Sequence, residues 1–216
     1  MLKIALTRNR MNFIKLRDSL KNFTVFSLHD ILQVDQSFHR RRLNEWQSKG
    51  YIKKVIKGFY IFSDLVLNEN VLFEVSNRIY KPSYISLESA LSYYHLIPES
   101  VYSVTSVSTR RTYKFITSIT EFSYRTVRPD LYFGYIVQAY NQKAFKIAQP
   151  EKAIVDYFYL NPHLKNENDF ESLRLNSERF FEIVDEKILL NYVTKSLQKS
   201  LKERISRFID HMSAKR

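Results

Sequence analysis

Arg40, Arg41, Arg42 and Asn44 lie within five consecutive positions of the run FHRRRLNEWQSK. A guanidinium presents paired donors that fit guanine O6 and N7, and a carboxamide presents the donor and acceptor that fit adenine N6 and N7. Ser37 before this cluster and Ser48 and Lys49 after it extend the same set of polar groups, and Lys53, Lys54 and Lys57 follow closely. Ammonium groups of that kind meet phosphate rather than bases. The chemistry on offer is therefore recognition of a nucleic acid. Bond-making chemistry has fewer candidates. The chain has no cysteine, hence no thiolate nucleophile and no Cys-ligated zinc. Its three glycines, at 50, 58 and 134, cannot build a glycine-rich phosphate cradle. The five histidines, at 29, 39, 95, 163 and 211, show neither H-x-x-x-H nor H-E-x-x-H spacing, so no metal or other cofactor is expected. Glu151 and Asp156 are five apart and point apart on a helix; they read as a cap and a solvated position. Ser106, Ser108 and Thr109 read as solvated strand positions without a base. A non-enzymatic protein is expected.

Charge points the same way. Of the net +12, residues 1–81 carry +8, from 15 basic and 7 acidic side chains, whereas residues 151–216 carry only +1. A concentrated positive field suits a polyanion, and a solubilising surface is the alternative use of the same charge. The first ten residues lack a signal-peptide core, and no stretch reaches the roughly 18 apolar residues of a membrane span. A cytoplasmic protein without a membrane partner is expected.

The elements that must position the cluster follow from periodicity and caps. Met11, Ile14, Leu16, Leu20 and Phe23 recur at helical spacing, which predicts a first helix ending near Asn22. Ser27 with Asp30 makes an acidic capping box before LHDILQV, a short second helix. Asp35, Gln36 and Ser37 offer caps for a third helix from Phe38, stopped at Gly50. On that helix Phe38, Trp46 and Leu43 fall at about 0°, 80° and 140°, and Ser37, Arg40, Asn44 and Ser48 fall at about 200° to 280°, with Arg41 near 300°. Arg42, near 40°, lies beside the core and suits a phosphate better than a base. The runs YIKKVI and FYIF around Lys57-Gly58 read as a β-hairpin. Helix, short helix, turn, helix and hairpin make a winged helix-turn-helix over residues 1–65. Ser37, Arg40, Arg41 and Asn44 become candidate base readers, and Arg42, Ser48, Lys49, Lys53, Lys54 and Lys57 candidate backbone contacts.

Residues 66–216 read as a second, α+β domain. VLFEVSNRIY reads as a helix bridging the two domains and stopped by Pro82, and LESALSYYHL as a helix capped by Ser86. VYSVTSVSTRRTYKF, TEFSYRTV, YFGYIVQ and AFKIA alternate as strands of an antiparallel sheet. Pro150 starts PEKAIVDYFYL. From about Glu186 to Met212, Leu189, Val193, Leu197, Leu201, Ile205 and Ile209 recur every four residues. This stripe packs on its own domain or, alternatively, forms a dimer seam. Arg110, Arg111 and Lys114 form either a patch for phosphate or an acidic partner, or a solvated hairpin end.

Four runs carry a further likeness: YISLESALSYYHLIPES from Tyr84, VTSVSTRRTYKF from Val104, FSYRTVRPDLYFGY from Phe122 and IAQPEKAIVDYFYLNP from Ile147. In order, and across roughly Leu72 to Pro162, they resemble the motifs of the AbiEi antitoxins of bacterial type IV (abortive infection) toxin–antitoxin systems. His95 stands where glycine is common in that family. The resemblance implies an N-terminal winged helix with Arg40, Arg41 and Asn44 in the recognition helix and Lys53, Lys54 and Lys57 in the wing. It further implies a repressor of its own operon that binds inverted repeats in promoter DNA, an arrangement a homodimer would fit. Its partner would be a nucleotidyltransferase-like toxin, opposed without a stable complex. The alternative is a stand-alone winged-helix regulator whose second domain senses a ligand or binds a protein.

Overall fold

The structure, a computed structural model, describes residues 12–98 and 103–215. The expectations for the first ten residues, Met11, Val101 and Tyr102 fall outside that range. The chain divides into two compact units, one ending at Leu67 and the other beginning at Asn68.

The first unit runs α1 (Phe13–Leu20), β1 (Phe26–Ser27), α2 (Leu28–Val34), α3 (Arg41–Ser48), β2 (Ile52–Ile56) and β3 (Phe59–Phe62). Its antiparallel sheet has the order β1-β3-β2, which with the three helices makes a winged helix-turn-helix. Asn12 caps α1, whose inward residues are Leu16 and Leu20 with Phe13 packed beside them. Ile14, expected inside, is 69% exposed. The capping box of α2 forms, with Ser27 N–H donating to Asp30 at 2.7 Å and Asp30 N–H to Ser27 Oγ at 3.3 Å. Ser27→Ala is therefore expected to lower the urea midpoint by the equivalent of about 1 kcal/mol; an unchanged midpoint would show that the hairpin, not the cap, holds α2.

The third helix starts later than expected. The Asp35 carboxylate accepts from Ser37 N–H at 2.9 Å and from Ser37 Oγ at 2.6 Å, closing a side-chain turn instead of a helix cap. Those bonds, the hydroxyl's first, hold the Asp35 carboxyl below its usual range. Arg42 N–H then reaches His39 C=O and Leu43 N–H reaches Arg40 C=O, so the first turn is tight and Arg40 is its N-cap. At the other end Gly50 takes φ +71° and Tyr51 N–H returns to Trp46 C=O, the left-handed stop glycine provides.

The second unit is built on a six-stranded sheet, order β6-β7-β5-β4-β9-β8, from β4 (Ser83–Ile85), β5 (Ser103–Ser108), β6 (Tyr113–Ile116), β7 (Glu121–Thr126), β8 (Tyr135–Tyr140) and β9 (Lys143–Ala148). The sheet is mixed rather than wholly antiparallel, since β4–β9 and β5–β7 pair in parallel. The β5–β7 pairing arises because the β6–β7 hairpin sets β7, not β6, beside β5, and the β4–β9 pairing arises from β4. Its three residues are all buried and have no alternation, so the segment reads as the approach to a helix. Yet it lies in the middle of the sheet.

Helix α4 (Glu69–Ile79) packs on β4, β5 and β9, so it belongs to this unit rather than bridging two. Helices α5 (Leu87–Tyr93) and α6 (Pro150–Leu160) pack on each other. Ser106, on β5, bonds Ser76 of α4, while Tyr84, on β4, reaches Asp156 of α6. Tyr84 pairs with Val107, one residue past Ser106, so α4 and α6 cover opposite faces of the sheet. Past α5, His95 takes φ +59°, the left-handed region where glycine is unstrained.

After α6 come α7 (Glu167–Ser172), α8 (Ser177–Ile183), α9 (Glu186–Lys195) and α10 (Lys199–Ala214). The expected single helix over 186–212 is two helices. Leu197, part of the apolar stripe, takes φ +56° and is 85% exposed, while Leu189, Val193, Leu201 and Ile205 are buried. The stripe is thereby used within the unit. Among the described residues no helix is long and apolar enough to cross a membrane.

Candidate nucleic-acid interface

The candidate interface rests on the core of the first unit. Leu43 and Trp46 on α3 are buried against Leu16, Leu20, Phe38 and Phe62, and the Phe38 and Trp46 rings lie 5.4 Å apart. With those two positions turned inward, the 3.6-residue repeat sends Arg41, Asn44, Glu45 and Ser48 outward, and all four are exposed. Arg40 is exposed at the N-cap. Arg42 is half-buried with its guanidinium 5.2 Å from the Trp46 ring, a stacked position beside the core. Ser37 is exposed in the turn before the helix, not on it, and its hydroxyl is bonded to Asp35.

Glu45 was missed. On the expected wheel it fell next to Phe38, but Phe38 precedes the helix, which starts at Arg41 and turns Glu45 to the surface. On a nucleic-acid-binding face a carboxylate there would accept from cytosine N4 and repel phosphate. Glu45→Gln is expected to tighten binding to random duplex DNA by about threefold while narrowing the gap to a preferred site. Fluorescence anisotropy on the two DNAs measures both; weaker binding to random DNA would argue against this placement.

The hairpin follows from α3, which packs on β2. Between Lys54 and Ile56 the register slips against β3, and that irregularity leaves Lys53 and Lys54 both exposed while Ile52 and Val55 are buried. Lys57 is exposed at the tip beside Gly58, and Lys49 is exposed at the end of α3.

The second unit turns several expected surface groups inward. Asp156, read as solvated, is 1% exposed and Glu151, read as a cap, 5%; Lys152 between them is 0% exposed. Lys152 Nζ pairs with Asp156 Oδ1, and the other Asp156 oxygen accepts from Tyr84 at 2.8 Å and Ser86 at 2.9 Å. Ser86 thus stands at the N-cap of α5 without using its side chain there. Burial first, and the Asp156 charge second, push the Tyr84 phenol far up, so it remains a donor. Glu151 accepts from Asp185 N–H at 2.9 Å. Ser106 and Ser108 are buried too, bonded to Ser76 and to Pro82 C=O. Lys152 and Asp156 are four apart on α6, a pairing the sequence displays, but only the layers on both sides of α6 remove it from water.

Gly134 lies against this cluster. Its φ is +71°, and a Cβ there would fall 3.0 Å from Lys152 Cγ. Gly134→Ala is expected to cost at least about 1–2 kcal/mol from the left-handed backbone alone, read by chemical denaturation; no loss would mean that the Lys152 stem yields freely.

The Arg110, Arg111 and Lys114 group is exposed at the β5–β6 turn and start of β6, where Arg110 stacks 4.3 Å from the Tyr80 ring and Lys114 pairs with Glu121 at 2.8 Å. Arg111 C=O accepts from Tyr80 at 2.7 Å. Two of its three cations are thus engaged within the unit. Among the described residues no group of three or more His, Asp or Glu side chains is gathered to hold a metal.

Fold and surface together define an α+β chain whose winged helix-turn-helix presents cations on α3 and on its hairpin. Compared with protein-family models and with curated proteins, the chain matches none.

Proposed function

We propose that this chain is a non-enzymatic, DNA-binding repressor and the antitoxin of a type IV toxin–antitoxin pair. Promoter DNA is bound by the first unit, and a nucleotidyltransferase-like toxin is opposed by the second. One observation carries the DNA reading: Arg40, Arg41 and Asn44 are exposed on a helix whose Leu43 and Trp46 are locked in the core. A rigid helix that offers guanidinium and amide groups suits the major groove, and Lys53, Lys54 and Lys57 suit the flanking phosphates. The toxin reading is supported by the four runs between Tyr84 and Pro162 that resemble antitoxin motifs.

Mobility-shift titration of the full chain on its own promoter and on random duplex DNA, at two salt concentrations, tests the DNA reading. A preference for the promoter is expected, and equal affinity for both would sink it. Lys57→Ala is expected to weaken both DNAs alike and to lower the salt slope by about 0.9; a loss on the promoter alone would make Lys57 a base reader instead. Co-expression with the neighbouring gene tests the toxin reading. Rescue of growth is expected, and a neighbour that is harmless alone would contradict it.

A further inference from the structure

A groove of about 430 Å³ opens in the second unit between the C-terminal half of α4 and the strands β4, β8 and β9. Two cations line it with their side chains, Arg78 and Lys81, against one carboxylate, Glu74, which already accepts from the Tyr140 hydroxyl; Lys146 contributes its backbone, since its ammonium lies 5.0 Å from the Tyr135 ring on the other face of the sheet. Pro82, Val137 and Phe145 supply apolar wall. Two further lining residues set this groove apart. Ser83 is 3% exposed, and neither its Oγ nor the buried Nδ2 of Asn77 has a hydrogen-bond partner among the described residues.

The identity of the orphaned Asn77 atom is settled by its other half. Asn77 Oδ1 accepts from Lys146 N–H, so the group left over must be the amide donor. Buried polar groups in native proteins are nearly all paired, and unpaired ones mark a stability cost borne for another reason. Here two neutral donors share one groove with an excess of one positive charge. That combination disfavours cations and suits an anionic group with several acceptor oxygens. The volume is that of a small-molecule site, and the apolar wall leaves room for a ring or chain beyond the anionic head.

We propose that this groove binds a phosphorylated small molecule, its phosphate oxygens taking the Ser83 hydroxyl and the Asn77 amide and its charge met by Lys81 and Arg78. The site does not depend on the antitoxin reading; it gives chemical content to a second unit that senses a ligand.

Calorimetric titration and thermal unfolding of the full chain with inorganic pyrophosphate and with adenosine monophosphate test it, with adenosine as the uncharged control. Saturable binding of at least one phosphate probe is expected, with none for adenosine. Asn77→Asp keeps the acceptor for Lys146 N–H and replaces the donor by a second anionic oxygen, so it should weaken binding by at least about tenfold. Lys81→Gln, at an exposed position, should weaken it several-fold without disturbing the fold. Ser83→Ala should weaken binding while leaving the ligand-free protein as stable as the parent, because a hydroxyl that serves only the fold would cost stability when removed. A parallel Lys53→Gln/Lys57→Gln variant should bind the probe as the parent does. No binding of either phosphate probe, or binding that N77D and K81Q leave intact, would overturn the proposal, the latter by assigning the anion to some other basic surface.

Discussion

Replacing Asp156 with alanine is expected to cost the second unit about 3–5 kcal/mol of unfolding free energy, the usual penalty for stranding one half of a buried ion pair. The change leaves Lys152, which is 0% exposed, without its counter-charge, and removes the acceptor of both Tyr84 and Ser86. Few domains have more than about 5–15 kcal/mol to lose, so a large fraction of the stability is at stake. Lys152→Met with Asp156→Leu should recover most of the loss, because an apolar pair of similar volume carries no desolvation cost. Urea unfolding followed by circular dichroism reads both. A single variant within about 1 kcal/mol of the parent would mean that water reaches the pair. A double variant no better than the single would mean that the Tyr84 and Ser86 bonds matter more than the charges.

Arg41→Ala is expected to weaken the complex with the promoter by about 5- to 150-fold, the equivalent of about 1–3 kcal/mol, and to relax base preference at one position of the site. The expectation follows from geometry. Arg41 opens the outward face of α3, in line with Asn44 and Ser48, on a helix that the buried Leu43 and Trp46 hold fixed. Arg40→Ala is expected to lose a similar amount, since it is exposed at the N-cap, where a groove-bound helix approaches the bases. Asn44→Ala should act at a different base pair. Anisotropy titrations against single-base variants of the promoter separate these effects. If Arg41→Ala weakened random duplex DNA as much as the promoter, its contact would be to phosphate, and base reading by α3 would fall with it.

Much of the first unit was legible because its signals are local. Ser27 and Asp30, three apart, announce the start of α2 through bonds that need no other part of the chain. Gly50 ends α3 through its own backbone freedom, and the hairpin turn lies at Lys57-Gly58 as its flanking runs predict. Where two local signals compete, the reading failed. Asp35 and Ser37 are good caps for a helix and equally good partners for each other; the structure takes the second option, which moves the start of α3 to Arg41 and brings Glu45 to the surface.

The second unit was less legible for a different reason. Five of the six strands, the buried α6 and the C-terminal helices each leave a periodic trace, but which side of an element meets water depends on what covers it. Asp156, Lys152, Ser106 and Ser108 look like surface residues by type, yet layers contributed by residues dozens of positions away bury them. Leu197 looks like core by spacing and is exposed, because a left-handed residue between α9 and α10 breaks the stripe. Local chemistry thus determined from the sequence alone the winged helix-turn-helix, the cationic character of its outer helix and hairpin, and the strand-and-helix content of the rest. Only the tertiary structure decided that β4 would be central to a mixed sheet, that a charged pair on α6 would be shut away from water, and that two donors would be left unpaired in a basic groove. Burial is a property of neighbours in space, and two of the three residues that pair with Asp156, Tyr84 and Ser86, come from the β4–α5 corner some seventy positions earlier.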